Sequence, residues 1–525
     1  MILSIIATVL LGVFVFLASL TCCHMFQLEG YKTSGYGRWL SHTGLSKYWA
    51  VLILAALYLG ATYAALAVQG MLGVIVSIVC MAGFAALGLY YLSAMRVKNA
   101  KKPLVYTARV KRMLITEGIV IAALCAAGYA AGVMLTAVIL LFTPFWIAAA
   151  NWINKPIEKA VCSHYLNDAK RKLAARDDLI KIAITGSYGK TSTKFILGAI
   201  LGAKFDVLVP PSSYNTPMGL TRVIREQMTD GNQVMIAEMG AKHIGDIAEL
   251  VELIRPQYGL ITSVGPQHLE TFKNIKNVAK TKYELIEGLP EDGVAFFPDD
   301  GGITKRMYDN TEMEKRLFSV DQGGDVWAEE IAVGNFGSRF TACFKSGERI
   351  PVETKLLGRH NIQNVLGGIA VAKELGMTPE EIAEGTKRIE PVEHRLQIIP
   401  TTNGITVIDD AFNANPAGTR VAMAVLRQFG GRKIVVTPGM VELGSEEEAE
   451  NRKFGENMAK AADIVYLIGR KHTRPIYEGL VNAGFDEGAI VVMDSLDGAT
   501  RAMGPILRAG DVLLYENDLP DNYNE

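Results

Sequence analysis

A glycine-rich stretch followed by a lysine and three hydroxyl side chains occupies residues 185–193, which read T-G-S-Y-G-K-T-S-T. The mostly apolar residues before it (179–184) predict a buried strand, and the apolar residues after it predict a helix. In a turn between a strand and a helix, glycines allow backbone N–H groups to surround phosphate oxygens, and the helix N-terminus favours negative charge. Lys190 would neutralise the β- and γ-phosphates, and Thr191 or Ser192 would supply a hydroxyl to Mg²⁺. The residues of this loop predicted to bind ATP are Gly186, Ser187, Tyr188, Gly189, Lys190, Thr191 and Ser192.

The loop departs in one respect from the usual phosphate-loop pattern. Ile184 stands where the first glycine of G-x-x-x-x-G-K would fall. An ordinary glycine turn is the alternative interpretation, but it does not account for Lys-Thr-Ser at the predicted start of a helix.

Six further segments that carry polar or ionisable residues follow in order along the chain. They are V-M-I-A-E-M-G at 234–240, I-T-S-V-G-P-Q-H-L-E at 261–270, A-K-T-K-Y-E at 279–284, G-R-H-N-I-Q-N at 358–364, D-D-A-F-N-A-N-P at 409–416 and M-V-E-L-G at 440–444. Together with the loop, this series resembles the Mur ligases, the ATP-dependent enzymes that add amino acids to cell-wall precursors. The resemblance extends from 179 to 515. It is greatest to the branch of the family that adds D-alanyl-D-alanine to a muramyl tripeptide.

Three ionisable residues in these segments are candidates for metal binding. Glu238 ends an apolar segment, where a carboxylate can reach a metal ion beside the phosphate loop; a surface charge at the end of a strand is the alternative. His268 and Lys282 have weaker patterns of their own, because a lone histidine is commonly structural and a helix lysine is commonly solvated. The resemblance implies that His268 holds a second metal and that Lys282 is carbamylated, which turns an ammonium into a carboxylate. The predicted metal ligands are Thr191, Ser192, Glu238, His268 and Lys282, and the predicted cofactors are ATP and two Mg²⁺ ions.

Further residues are predicted to contact the nucleotide and the substrate. His360, Asn361 and Asn364 lie near a predicted helix start at spacings that share one face, and the resemblance implies that they hold adenine and ribose. N-terminal capping by Asn361 is the alternative. Arg395 matches the family arginine that meets phosphate from the C-terminal domain, with a surface arginine as the alternative, and Asp410 matches a nucleotide contact. The substrate-binding residues implied by the resemblance are Asn215, Asn413 and Asn415.

The resemblance also implies a reaction. The γ-phosphate of ATP phosphorylates a carboxylate, and an amine attacks the acyl phosphate to give an amide, ADP and phosphate. Catalysis would come from placing the reactants and neutralising their charge, while the C-terminal domain closes over ATP. The residues predicted to be catalytic are Lys190, Glu238, His268, Lys282 and Arg395.

The first part of the chain has the composition of a membrane domain. Apolar stretches cover 2–23, 48–69, 71–93 and 114–152. A span needs roughly 20 apolar residues, so the first three stretches suit one helix each and the fourth suits two, with a turn near Gly132. Five spans are therefore expected. A cleavable signal peptide is the alternative for the first stretch, but its N-terminus has no basic residue.

Basic residues predict the orientation of these spans, because they remain on the cytoplasmic side. They are concentrated at 94–112, at 155–172 and in the loop 24–47, whereas the turns near Gly70 and Gly132 carry no charge. The prediction is a multi-pass protein of the bacterial cytoplasmic membrane, with its N-terminus outside and its catalytic domains in the cytoplasm.

The composition excludes some classes of protein. The formal net charge is -1, which argues against a nucleic-acid partner. The six cysteines have no metal-ligand spacing and fit a reducing compartment better than disulfides or zinc.

Glu117 lies inside an apolar stretch, where a carboxylate is a candidate functional group. Pairing with Arg112 near the membrane surface is the alternative.

These observations predict an α-helical transmembrane bundle followed by an α/β body, made of a P-loop Mur-type central ATPase domain and a Rossmann-like C-terminal domain. The expected boundaries are 1–153 for the membrane domain, 154–178 for a linker helix, 179–390 for the central domain and 391–525 for the C-terminal domain.

The chain departs from the family pattern in places that concern its substrates. The soluble enzymes have an N-terminal domain that binds the UDP part of the precursor, and this chain has membrane helices in its place. The muramyl-peptide partner is therefore either UDP-linked, as in the family, or lipid-linked. Residues 437–440 read T-P-G-M where the family has Gly-Asp-Met, and 515–517 read Y-E-N where it has Lys-Gly-Ser. The amine donor, an amino acid or a dipeptide, therefore stays open.

Three other functions are compatible with parts of the sequence. A membrane-bound ligase resembling poly-γ-glutamate synthetases would share the anchor and the loop, but the segment at 409–416 and a full C-terminal domain favour the first interpretation. An ATP-driven transporter would need a polar pathway in the spans, which carry only Glu117. An inactive scaffold would not need Lys190, Glu238, His268 and Lys282.

Overall fold

The structure is a computed structural model. It describes residues 2–41, 49–68, 70–95, 103–211, 214–334, 337–392, 394–399, 401–411, 414–441 and 443–517. The chain divides into two compact units, residues 1–163 and residues 164–519.

The first unit is helical. Its helices are α1 (Ile2–Leu28), α2 (Thr33–Trp39), α3 (Trp49–Ala67), α4 (Met71–Met95), α5 (Ala108–Ala131), α6 (Val133–Leu141) and the first part of α7 (Thr143–Ala174). Helix α1 packs against α3, α4 and α5 around an apolar core that includes Leu11, Leu54 and Tyr58. The Tyr58 hydroxyl lies 3.1 Å from that of Thr8, so polar groups inside this core meet each other.

Four helices of this unit are long and apolar enough to cross a membrane. They are Ile2–Leu28, Ala50–Ala67, Met71–Ala94 and Ala108–Ala131. The turn expected near Gly132 is confirmed, since α5 ends there with φ 144°. The expected fifth span is not one uninterrupted helix, because α6 ends at Leu141 and α7 begins at Thr143. Pro144 has no backbone N–H with which to extend α6, so the chain starts a new helix at this point.

The predicted linker helix is part of a longer helix. Helix α7 runs without a boundary from Thr143 to Ala174, and the division between the two units falls inside it, after Ser163. Four of the basic residues used to predict orientation, Arg96, Lys98, Lys101 and Lys102, lie outside the described residues, and the orientation stays a prediction.

The cytoplasmic end predicted for α5 carries polar contacts with α7. Arg112 donates to both carboxylate oxygens of Glu158, at 2.7 and 2.9 Å, and Asn154 donates to the Thr116 hydroxyl at 2.9 Å. Glu117 is fully buried, and neither of its carboxylate oxygens has a hydrogen-bond partner among the described residues. The suggested pair between Glu117 and Arg112 is therefore wrong, because Glu158 takes Arg112.

The second unit is built on two sheets, and its α/β architecture is as predicted. The first sheet contains β1 (Ile180–Thr185), β2 (Val207–Leu208), β3 (Val234–Glu238), β4 (Tyr258–Ile261), β5 (Val294–Pro298), β6 (Lys315–Ser319), β7 (Val326–Gly334), β8 (Gly337–Phe344) and β9 (Arg349–Thr354). Its strand order is β2-β3-β1-β4-β5-β6-β7-β8-β9; the pairs up to β7 are parallel and the last two are antiparallel.

Helices cover both faces of this sheet. They are α8 (Lys190–Leu201), α9 (Pro217–Glu226), α10 (Asp246–Ile254), α11 (Leu269–Phe272), α12 (Ile275–Glu287), α13 (Ile303–Asn310), α14 (Arg359–Glu374) and α15 (Pro379–Lys387). Alternate residues of β1 point to opposite faces: Ile182 and Ile184 pack with α8 and α14, and Ala183 packs with α10 and α12. This packing holds the carboxyl end of β1 beside that of β3.

The second sheet forms the C-terminal part of the unit. Its strands are β10 (Gln397–Ile399), β11 (Thr406–Asp410), β12 (Lys433–Thr437), β13 (Ile464–Ile468), β14 (Ile490–Met493) and β15 (Val512–Glu516), in the order β10-β11-β15-β12-β13-β14. Its helices are α16 (Pro416–Leu426), α17 (Glu447–Met458), α18 (Arg474–Asn482) and α19 (Leu496–Met503). All pairs except β10–β11 are parallel, so five strands end at one edge. Ligand sites of open α/β sheets lie at such edges.

Candidate active site

The glycine loop, defined as residues 186–189, connects β1 to α8 as predicted. Gly186 has φ 153° and Gly189 has φ 81°, both in the region that favours glycine. A Cβ atom at Gly186 would lie 2.0 Å from the Thr262 hydroxyl oxygen, so only glycine fits there. The Ser187 N–H donates to the carbonyl of Ser263 at 2.8 Å, which ties the loop to the end of β4. The first turn of α8 therefore opens directly beside the loop.

Lys190 folds back over this loop. Its Nζ donates to the carbonyl of Gly186 at 2.6 Å and to that of Ser187 at 3.2 Å. Burial lowers the pKa of Lys190 to about 8, although the charge of Glu238 opposes this shift. The ammonium is thus partly desolvated, which strengthens its attraction for an anion.

Glu238, at the end of β3, lies at the centre of a buried cluster. Its carboxylate accepts from the Thr191 hydroxyl at 3.1 Å and from the Asn215 side-chain amide at 3.1 Å. Lys194 Nζ lies 3.2 Å from Glu238 Oε2, and the side chains of Lys194 and Glu238 are 0 % and 1 % exposed. Glu238 is therefore inside the site, and the alternative of a surface charge is wrong.

Lys194 was not among the residues predicted from the sequence. It follows Lys190 by four residues on α8, a spacing that places both on one face of the helix. Thr193, its neighbour, is also fully buried. The sequence did offer one indication of its role: Lys194 lies one turn after Lys190 on a helix that was predicted to be apolar.

The residues near Glu238 fit a Mg²⁺ ion in part. Thr191 and Glu238 offer a hydroxyl and a carboxylate in direct contact, which are ligands that Mg²⁺ accepts. No three His, Cys, Asp or Glu side chains of the described residues are grouped closely enough to hold a metal on their own. Thr191, and not Ser192, is the hydroxyl that meets Glu238; Ser192 lines the cleft described below.

Lys282 lies on α12 and is almost completely buried, with 1 % exposure. Burial, reinforced by the nearby charge of Lys190, holds the pKa of Lys282 well below its usual value, while Asp246 and Glu284 oppose this shift. The alternative of a solvated helix lysine is therefore wrong. His268 lies in the turn before α11 with φ 52° and is partly exposed.

A cleft of about 210 Å³ lies between the glycine loop and the C-terminal sheet. Most of the predicted nucleotide residues line it. Those that do are Tyr188, Gly189, Ser192, His360, Asn361, Asn364, Arg395 and Asp410, and they are joined by Asn415, which was predicted to bind substrate. Asn413 lies outside the described residues. Asn215 instead contacts Glu238, next to this cleft's loop wall.

His360 and Asn361 begin α14 on one wall of this cleft. Burial, with a contribution from Arg395, lowers the pKa of His360 to about 4, so its ring is neutral at physiological pH. His360 Nδ1 has no hydrogen-bond partner among the described residues. Asn361 donates to the Leu357 carbonyl at 2.9 Å, and Gly358 is the N-cap, so the capping role considered for Asn361 is wrong.

Arg395 faces this wall from the C-terminal side. It lies between two residues with unusual backbone angles, His394 with φ 60° and Leu396 with φ 45°. The Leu396 N–H donates to Asp410 Oδ1 at 3.1 Å, which draws this turn onto the end of β11. Arg395 lines the cleft, and its charge is balanced by Asp410, Glu238 and Glu516, so the surface alternative is wrong.

Glu516 was not predicted as a site residue; the sequence marked 515–517 only as a departure from the family pattern. It ends β15 and is the register partner of Asp410 at the end of β11, so two carboxylates lie side by side. Burial, followed by the charge of Asp410, raises the pKa of Glu516 well above its ordinary value. Burial also raises the pKa of Asp410 to about 6, against the opposing charge of Arg395.

Comparison with known proteins gives the family. Residues 184–372 match the Mur ligase middle domain, and residues 394–515 match the Mur ligase, glutamate ligase domain. The UDP-N-acetylmuramoyl-tripeptide--D-alanyl-D-alanine ligase of Mycobacterium tuberculosis is 32% identical over 357 residues, which cover 64% of this chain and 69% of that protein. The enzyme of the same name from Escherichia coli is 33% identical over 294 residues, covering 55% of this chain and 64% of that protein.

Solved structures agree on the fold. MurF from Acinetobacter baumannii superposes with a TM-score of 0.62 at 24% identity, covering 69% of this chain and 78% of that one. MurF ligase from Thermotoga maritima in complex with ADP gives a TM-score of 0.59 at 24% identity, covering 68% and 80%. The fold and the matched domains define an ATP-dependent peptide ligase. The chain belongs to the Mur ligase family, and its N-terminal helical unit stands in place of the usual N-terminal domain.

Proposed function

We propose that this ligase joins the amine of D-alanyl-D-alanine, or of another amino acid, to the carboxylate of a muramyl-peptide precursor. The relatives named above are, by their names, ligases of UDP-N-acetylmuramoyl-tripeptide and D-alanyl-D-alanine. The observation that carries the proposal is the grouping of Lys190, Glu238 and Arg395 around one loop and cleft. Such a grouping suits a reaction that brings two anions together, since charge neutralisation is the main requirement.

In this proposal the glycine loop and Lys190 hold the β- and γ-phosphates of ATP. The acceptor carboxylate attacks the γ-phosphorus, ADP leaves, and an acyl phosphate forms. The amine then attacks the acyl carbon, and phosphate leaves with the bonding electrons. Arg395 reaches the phosphates from the C-terminal side, and Asn215 and Asn415 orient the substrates.

Thr191, Glu238, His268 and Lys282 are the proposed magnesium ligands. Magnesium, when bound, supplies neutralisation of the phosphate charge. Lys282 needs carbamylation for this role, and its burial supports that step. A neutral amine adds to CO₂ and releases one proton, giving a carbamate anion. An amine whose pKa lies far below the usual lysine value is available for this addition at neutral pH.

The four apolar helices support placement in the cytoplasmic membrane, with the ligase domains on the cytoplasmic side where ATP is present. A helical unit in place of a UDP-gripping domain favours an acceptor that is itself attached to a lipid. The proposed acceptor is therefore a lipid-linked muramyl peptide, with the UDP-linked form as the comparison substrate.

The test uses the full chain purified in detergent with ATP and Mg²⁺. UDP-linked and lipid-linked muramyl tripeptides are offered in parallel, each with D-alanyl-D-alanine or with single amino acids. The proposal predicts phosphate release that needs both acceptor and amine, together with an amide product seen by mass spectrometry. Phosphate release that is independent of every acceptor would contradict it, and faster turnover of the UDP-linked acceptor would overturn the lipid-linked assignment alone.

A further inference from the structure

The carboxylate proposed to hold magnesium has a cation of the protein beside it. Lys194 Nζ lies 3.2 Å from Glu238 Oε2, and both side chains are buried. Because water is excluded from this pair, the attraction between its two groups is screened much less than that of a surface pair. The pair has no formal net charge, so Lys194 cancels the charge that would otherwise attract a metal ion to Glu238.

The other partners of Glu238 hold the carboxylate in place without adding charge. The Asn215 side-chain amide donates to Oε1 at 3.1 Å, and the Thr191 hydroxyl lies 3.1 Å from both carboxylate oxygens. Thr191 gives its one proton to this carboxylate, so its oxygen keeps lone pairs for a metal ion. Lys194 on Oε2 and Asn215 on Oε1 therefore fix the orientation of Glu238 toward Thr191.

Cations are at least as numerous as anions beside the glycine loop before a nucleotide binds. Glu238 acts electrostatically on Lys190 and on Arg395, and the charge of Lys190 also reaches Lys282. If Lys282 carries the proposed carbamate, the two anions only balance Lys190 and Lys194. The phosphates of ATP are therefore attracted to this region more strongly than a free divalent cation is.

Two further carboxylates act on Lys282, and both are engaged elsewhere. Asp246 and Glu284 accept backbone N–H groups around the start of α10, at 2.8–3.1 Å. The carboxylate that remains in contact with Thr191 is Glu238, and its charge is taken by Lys194.

We infer that Lys194 is a positioning residue of the metal site, which holds Glu238 in place and makes tight metal binding depend on the nucleotide. The phosphates supply the negative charge that Lys194 cancels, so the divalent ion binds together with ATP or after it. The inference goes beyond the proposed function and rests on it only in requiring that Glu238 binds the metal.

The experiment measures the affinity for Mn²⁺, used in place of Mg²⁺, by electron paramagnetic resonance on the full chain in detergent. Titrations without nucleotide are compared with titrations in the presence of a non-hydrolysable ATP analogue. The unaltered protein should bind Mn²⁺ much more weakly without the analogue than with it. Lys194→Met should tighten the nucleotide-free binding by about tenfold or more, because the carboxylate is no longer neutralised. The change in the presence of the analogue should be smaller.

Three further variants make the result interpretable. Lys194→Arg keeps the positive charge and should retain the weak nucleotide-free binding. Lys194→Gln is a second uncharged variant, which reports even where the methionine variant fails to fold, and it should also tighten this binding. Lys315→Met makes the matched change on β6, which β4 and β5 separate from β1, and should leave the Mn²⁺ affinity unchanged.

Three results would overturn the inference. The first is a nucleotide-free Mn²⁺ affinity that is unchanged or weaker in both uncharged Lys194 variants, as a purely structural role of the lysine predicts. The second is an equal gain in Lys194→Arg, and the third is a gain of the same size with the analogue present. Failure of the proposed function has a different signature, since the unaltered protein would then bind no Mn²⁺ with the analogue, or Glu238→Gln would bind it as tightly.

Discussion

Each sheet of the second unit has a buried carboxyl group at the carboxyl end of a parallel strand, Glu238 or Glu516, and each is paired with another ionisable side chain in an opposite way. Glu238 faces Lys194 at 3.2 Å and also accepts from Thr191 and Asn215. Glu516 faces another carboxyl group, that of Asp410, and burial raises the pKa of both.

The difference teaches how the two sites prepare for a ligand. At Glu238 the protein supplies the opposite charge itself, so the carboxylate is held in place before a metal or phosphate arrives. At Glu516 the protein places two buried carboxyl groups side by side, so the pair is stabilised by holding a proton instead of by an opposite charge.

The largest expected effect comes from removing the charge of Glu238. Glu238→Gln keeps the shape of the side chain but loses a proposed metal ligand beside Thr191. Turnover should fall by about 10³-fold, the scale seen when a group that stabilises transition-state charge is removed. Steady-state phosphate release measures it. Activity within tenfold of the unaltered enzyme would contradict the role of Glu238, provided that circular dichroism shows a folded chain.

The next effect concerns Lys194, the partner of Glu238. Lys194→Met fills the same space with an apolar chain and leaves the carboxylate of Glu238 without its counter-charge. Breaking a buried pair in this way costs about 3–5 kcal/mol, so the thermal midpoint of the second unit should fall by several degrees. Differential scanning fluorimetry provides the measurement. An unchanged midpoint would show that the pair does not stabilise the fold.

Lys282 tests whether burial prepares a carbamate. Lys282→Ala should lose about 10²-fold in turnover, and added bicarbonate should not restore it. The unaltered enzyme, depleted of CO₂ under argon, should also lose activity and regain it when bicarbonate is added. Turnover that is unchanged in the variant would exclude the carbamate.

Replacing Glu516 in the Asp410–Glu516 pair should raise the stability of the protein, whereas replacing Lys194 in the Lys194–Glu238 pair should lower it. Because the pKa values of Glu516 and Asp410 are raised, the folded state holds protons that the unfolded state releases. The stability of the fold therefore decreases as the pH rises from the ordinary carboxyl pKa through the raised pKa. Glu516→Gln removes this cost. At pH 8 this substitution should raise the free energy of unfolding by about 1–3 kcal/mol and therefore raise the thermal midpoint. The gain at pH 5 should be smaller. A lower midpoint at pH 8 would contradict the account of this pair.

The smallest effect is expected at an exposed ion pair on the first sheet. Arg339 and Glu353 have side chains that are 75% and 58% exposed. Arg339→Gln should change stability by less than about 0.5 kcal/mol, because exposed pairs are screened by water. If Arg339→Gln lowered the stability as much as Lys194→Met does, burial would not explain why the two ion pairs differ in strength.

The sequence predicted the parts of the site that depend on local spacing. Lys190 and Thr191 follow the loop glycines directly. In the structure Lys190 contacts the loop carbonyls and Thr191 contacts Glu238, which ends a recognisable apolar strand. Arg395 and Asp410 were identified from the resemblance, and both line the cleft. These residues lie within short motifs whose chemistry is readable without knowledge of the fold.

The parts that depend on distant pairing were not predicted. Glu516 lies beside Asp410 only because β15 pairs with β11, and the departure from the family pattern at 515–517 did not predict this pairing. Lys194 resembled an ordinary helix lysine until the packing of α8 showed it buried. In the helical unit, composition predicted a fifth span, but Pro144 divides the segment into α6 and α7.

Transfer of an oxygen atom is the most direct test of the central claim, that a carboxylate is activated by phosphorylation before amide formation. The acceptor that supports turnover is labelled with oxygen-18 in its reacting carboxylate, and the phosphate released during one round of ligation is examined by mass spectrometry. The account predicts one labelled oxygen in each phosphate, because the acyl phosphate breaks between carbon and that oxygen when the amine attacks. Phosphate that carries only unlabelled oxygen would contradict it.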